Sequence, residues 1–226
     1  YLSVNYTREL NHAIAVPRQQ LIGAQFVRLS GDLIKEIQKH RGTANRFLNG
    51  DAGARSALTG FQDTATGILD QLDQLSAQHS KALRVDADLE QIKAEGATVH
   101  TSYAQWTPAQ SFAAHSNLIT KIQRFAERTA DASSLTMSTQ LDEFHLTSLT
   151  TQTLLRLSEV LGKERGFGSG LATKRSASMA EKVQLHIFKA SAEVDIDTAG
   201  RSVQQAIAAN PTLAGRLADK AQTMTD

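Results

Sequence analysis

The spacing of apolar residues constrains this chain more than any other feature. Steps of three and four recur through segment after segment. Between Arg18 and Leu48 the seam reads Ile22, Phe26, Leu29, Leu33, Ile37, His40, Ala44 and Leu48, the stripe of an amphipathic helix. The same spacing returns from Leu58 to Leu75, from Leu89 to Tyr103, from Phe112 to Ala126, from Leu141 to Leu171 and from Val183 to Ile207. No segment alternates with period two, so no strand is expected. The reading is an all-α fold: an elongated up-and-down helical bundle, with two four-helix bundles stacked end to end and sharing long helices.

Breaks in the pattern coincide with terminator and cap residues. The three prolines of the 226 residues are expected at helix boundaries, with Pro17 in the first turn of the Arg18–Leu48 helix. Asn49-Gly50-Asp51 is expected to end that helix, Gly50 as its C-terminal cap and Asp51 as the N-cap of the next. Thr107-Pro108 opens a further helix, Ser138 caps the one after it, and Ser178 with Glu181 forms a capping box. Asn210-Pro211 starts a short last helix.

Composition removes several classes of function. Formal charge is +1, with 24 basic and 23 acidic residues spread along the chain, so there is no concentrated basic surface for nucleic acid. Cysteine is absent, which excludes disulfides, thiolate metal sites and cysteine nucleophiles. Histidines do not pair at i, i+3 or i, i+4, and no Glu-x-x-His pair suits a di-iron bundle core. With no phosphate loop, dinucleotide fingerprint or nucleophile elbow, neither metal, cofactor nor enzymatic activity is expected.

An internal echo supplies the candidate site. LIKEIQKHRGTANRFLNGD from Leu33 and LSEVLGKERGFGSGLATKR from Leu157 share a leucine start, Lys-x-Arg-Gly and a small polar end. Placing Arg41 on Arg165 makes related helix units of residues 18–80 and 138–208. A helix-interior glycine costs up to ~1 kcal/mol against alanine, so Gly42 and Gly166 imply a close approach of backbone or ligand. His40 is in register with Leu33, Ile37 and Ala44, and Glu164 with Leu154, Leu157 and Leu161. Arg41 and Arg165 lie beside them. A polar group on a packing seam needs a partner. Three readings stand: a buried polar cluster that sets helix register, a site for a small anion or carboxylate, or side chains that face solvent. His115, on the apolar seam of its own helix, is either a satisfied core histidine or a ligand contact.

The stretch HRGTANRFLNGDAGAR resembles the segment near the N-terminus of extracytoplasmic helical sensor regions in bacterial chemoreceptors, sensor histidine kinases and diguanylate cyclases. PRQQLIGAQFV, SFAAHSNLI and ADASSLTMSTQLDEFHLTSLTTQTLLRLSEVLGKERG follow the same layout, so the resemblance spans Val16 to Leu171. A more distant similarity is to nitrate- and nitrite-sensing domains, although His40 stands where those commonly carry glutamate. The resemblance implies a single sensor region over residues 1–226. It implies a periplasmic part of an inner-membrane receptor, homodimeric, with membrane spans on either side, and ligand binding relayed by helix displacement. The nitrate-sensing relatives point to Arg41 and Arg165 as anion ligands, with His40, Glu164 and His115 around them. The alternative is a structural or partner-binding bundle without sensory function.

Overall fold

The computed structural model describes residues 2–217. Within them the chain is helical and contains no strand. The helices are α1 (Leu2–Leu48), α2 (Arg55–Leu83), α3 (Asp86–Ser102), α4 (Pro108–Ala132), α5 (Leu141–Ser148), α6 (Leu154–Lys174) and α7 (Met179–Ala209). A π-helical segment, Leu149–Thr153, joins α5 to α6 without a break. In it the Thr150 and Thr151 hydroxyls donate to the carbonyls of Leu146 and Thr147 at 2.9 and 2.8 Å. Such bonds compete with the helix ladder, and a π turn takes one residue more than an α turn, which re-phases the helix beyond it.

α1 to α4 run alternately up and down and enclose one apolar core, with Phe26, Leu33, Ile37, Leu72, Leu89, Ile119, Ile122 and Phe125 buried in it. Phe26 meets Phe125 edge to face at 5.9 Å between centroids. The α5–α6 segment and α7 form an antiparallel hairpin beside this unit. α1 and α4 contact both packing groups. The buried residues of α6 include the stripe Gly162, Gly166 and Gly170, and α1 lies against that stripe.

Three boundaries differ from expectation, at Pro17, Asp51 and Ser138. α1 continues N-terminally through Pro17, although proline removes one main-chain hydrogen bond. One turn on, Gln19 and Gln20 donate to the carbonyls of Ala132 and Ser134, both at 3.0 Å, tying this part of α1 to the end of α4. Gly50 does adopt φ +107°, but Asp51 makes no cap. It pairs with Arg46 instead, and a 3-10 turn, Ala52–Ala54, precedes α2. The caps at Thr107 and Ser178 form as full capping boxes with Gln110 and Glu181. Ser138 accepts from the Gln140 backbone N–H at 3.0 Å, one residue short of the helix.

The two echo segments lie against each other. α1 and α6 are parallel, and Gln38 faces Gly162, Gly42 faces Gly166 and Asn45 faces Gly170. Gln38/Gly162 and Gly42/Gly166 are pairs that the echo itself aligns. A Cβ on Gly166 would sit 3.4 Å from the Gly42 Cα, one on Gly162 would sit 2.7 Å from the Gln38 Cδ, and one on Gly170 would overlap the Asn45 carboxamide. Close backbone approach is therefore what these glycines provide. Gly166→Leu is expected to destabilise the fold by about 1–3 kcal/mol, the usual cost of overpacking. Gly60→Ala on α2, where a Cβ meets nothing within 4 Å, is expected to stabilise it by up to about 1 kcal/mol. Urea denaturation of both variants checks the contrast, and equal effects would contradict the close-packed crossing.

Candidate functional site

The crossing of α1 with α4 and α6 carries the polar residues of the seam. Arg41 is fully buried. It donates from Nη1 to Glu159 Oε1 at 2.6 Å and from Nη2 to Oε2 at 3.2 Å, and from Nη1 to the Ser116 hydroxyl at 2.8 Å. Its guanidinium stacks on Phe112 at 4.8 Å from the ring centroid, an arrangement suited to a planar delocalised cation. Gln38 Nε2 donates to the second Glu159 oxygen at 3.2 Å. The Arg41 Nε–H has no partner among the described residues.

His40 and His115 continue this polar layer on the other side of α1. The Ser111 carbonyl, 2.6 Å from His115 Nδ1, can only accept, so that nitrogen carries the proton. His115 Nε2 then accepts from His40 Nδ1–H at 2.7 Å, and His40 Nε2 accepts from Gln62 Nε2 at 3.0 Å. Every link is satisfied with both rings neutral, and an added proton would set two donors face to face. Burial, then the neighbouring His115 and His100, holds the His40 pKa down to about 3. Burial, then Arg41 and His100, holds His115 down to about 4 despite the opposing Ser111 hydrogen bond. Tyr103 closes the His40 side edge to face at 5.0 Å.

His40, Arg41 and His115 are thus brought together, and Glu164 and Arg165 are not. Glu164 is half-buried and Arg165 exposed. Both line a shallow groove with Lys35 and Gln38. The carboxylate buried against Arg41 is Glu159. The leucine steps that placed Glu164 on the seam follow a face on which Leu161 is 44% exposed. The buried residues of α6 are Leu155, Leu157, Glu159, Gly162, Gly166 and Gly170, so the leucine row is buried at Leu157 and turns outward by Leu161. Glu159 stands three residues before Gly162, one helical turn back on the same face, whereas the four-residue glycine spacing itself steps to Ser158.

A pocket of about 690 Å³ opens beside Arg41, between α1, α4, α6 and α7. Phe112 covers Arg41 on one face and lines this pocket with the other residues of its wall. Phe112, Phe167 and Phe188 run through the wall edge to face, with centroids 5.8 and 6.0 Å apart. Both volume and lining are those of a small-molecule site. Among the described residues no group of three or more His, Asp or Glu side chains could hold a metal ion, and no helix is long and apolar enough to cross a membrane. No family model, curated protein or solved structure matches the chain.

Proposed function

We propose that this chain is the extracytoplasmic ligand-sensing domain of a bacterial transmembrane receptor, of the sensor-kinase or chemoreceptor kind, and that it signals by displacement of long helices. The observation that carries this reading is the pocket walled by four helices at once, set beside the crossing where α1 and α6 meet through Gly42 on Gly166 and the Arg41–Glu159 pair. A small molecule in that position contacts both the α6–α7 hairpin and the α1–α4 unit. It favours whichever arrangement of the two it binds better, and only that difference in affinity can shift the equilibrium. Small slides of packed helices are an established form of such a response. In this reading Arg41 acts as a structural group, supported by Glu159 and Ser116 on its terminal nitrogens.

A homodimer belongs to the same proposal. Val183, Ile187 and Val194 are 48%, 52% and 63% exposed along one stripe of α7, at the spacing of a helix-packing face. A second copy of the chain would cover them.

The test is a thermal-shift screen of organic acids and inorganic anions on the chain, followed by hydrogen exchange with any stabilising compound. A sensor is expected to show a raised Tm together with altered protection along α6 and α7. A screen without any stabilising compound would overturn the reading, as would stabilisation that leaves the hairpin unaltered. Sedimentation of the same samples reads the oligomeric state, and a monomer at every concentration removes the dimer from the proposal.

A further inference from the structure

The charges around the four-helix pocket do not balance. Its lining carries three ionisable groups: Lys163, Lys174 and Glu181. Lys174 Nζ donates to both Glu181 oxygens, at 2.9 and 3.3 Å, so those two cancel. Among the described residues Lys163 pairs only with Glu159, with Nζ 3.5 Å from Oε1. That carboxylate is already held by both terminal nitrogens of Arg41. Arg41 and Lys163 therefore share one negative charge, and one positive charge is left over at the edge of an aromatic pocket. A cation beside an apolar cavity with no full counter-charge is matched by a monoanion that brings its own apolar body.

We infer that this pocket takes a small monocarboxylate with an aromatic or comparably bulky apolar body. Its carboxylate sits on Lys163 Nζ and its body packs against Phe112, Phe167 and Phe188. This deepens the sensory reading and rests on it. The three rings come from α4, α6 and α7, so the apolar body of the ligand fastens the hairpin to α4. Its charge draws Lys163 from Glu159 and leaves the Arg41–Glu159 pair as a balanced one-to-one contact. Inorganic anions supply the charge without the apolar contact, and neutral aromatics supply the contact without the charge. Neither class satisfies both halves of the site.

The experiment is isothermal titration of the chain with phenylacetate and 3-phenylpropionate, with acetate, nitrate and phenylacetamide as comparisons. It is repeated on Lys163→Met and Phe188→Ala, each first checked for native circular dichroism. At least one aromatic acid is expected to bind saturably, at least tenfold tighter than acetate, nitrate and the amide. Affinity for it is expected to drop at least tenfold in both variants. Should Lys163→Met fail to fold, Phe188→Ala and the acid–amide comparison carry the test alone. The proposal is overturned if neither acid binds, if the amide binds as well as its acid, or if both folded variants keep full affinity. Nitrate binding tighter than the aromatic acids would overturn this ligand class and leave the sensory reading in place. Aromatic-acid binding in the expected order with no change in α6–α7 hydrogen exchange would support the pocket and overturn the sensory reading.

Discussion

Exchanging Glu159 for glutamine is expected to lower folding stability by about 3–5 kcal/mol, because it leaves the Arg41 charge buried without a counter-charge. In a chain of this length that corresponds to a fall in Tm on the order of 10 °C. The amide still offers one acceptor, so geometry is largely kept and the loss reports charge rather than shape. The second half of the expectation concerns removing both charges. Arg41→Met with Glu159→Leu replaces the pair by apolar groups of similar length, and such replacements in other proteins are neutral or stabilising. The double variant is therefore expected to be more stable than Glu159→Gln alone, a strongly non-additive result. Chemical denaturation of the wild-type chain, Glu159→Gln, Arg41→Met and the double variant closes the cycle. A cost under about 1 kcal/mol for Glu159→Gln, in the range of surface pairs, would show that Arg41 is not held by this carboxylate. Lys163 is expected to matter little to stability, since it is part-exposed and 3.5 Å from the shared oxygen.

Mild acid is expected to destabilise the chain through His40 and His115. In the unfolded chain both rings titrate near 6.5, whereas the fold holds them at about 3 and about 4. Between those values the unfolded chain binds more protons than the folded one, so stability falls as pH drops below 6.5. Each ring contributes a slope of about 1.4 kcal/mol per pH unit, and the slope flattens as pH passes below 4 and then 3. Two rings together are enough to remove several kcal/mol by pH 4.5, a large share of the stability of an ordinary domain. Burial of the two rings is the main cause, and the one-directional chain Gln62–His40–His115–Ser111 has no place for an extra proton. Urea midpoints between pH 7.5 and 4.5 measure the slope, and His40→Leu with His115→Leu is expected to flatten it. An unchanged slope in that double variant would assign the acid sensitivity to other groups.

The legible and illegible parts of this protein divide along physical lines. Helix content, most helix ends and the caps at Thr107 and Ser178 were readable because they depend on neighbours within four positions, whereas Asp51 and Ser138 make no cap. Thr107-Pro108, Ser178 with Glu181 and Gly50 act on their own turn of chain, and the structure uses each as its local chemistry dictates. Pro17 misled for the opposite reason. The side chains of Gln19 and Gln20 tie α1 to the end of α4, more than a hundred residues away in sequence. No local rule contains that contact.

The candidate site was half legible. His40 and Arg41 lie on the long apolar seam of α1, and a seam of that length has one possible inner face. α6 offered two, one rich in leucine and one in glycine. Counting hydrophobicity favours leucine, which put Glu164 inward. Packing chose glycine, because the stripe of Gly162, Gly166 and Gly170 lets two backbones approach more closely than leucine permits, and that choice brought Glu159 to Arg41. Sequence by itself determined that the chain is a helical bundle, that Gly42 and Gly166 mark a close approach, and that His40 and Arg41 need buried partners. Only the tertiary structure decided that the close approach is Gly42 on Gly166, that the partners are His115 and Glu159, and that a phenylalanine-walled pocket lies beside them. Periodicity is a property of one helix, whereas the identity of a partner depends on which faces of two helices pack most closely.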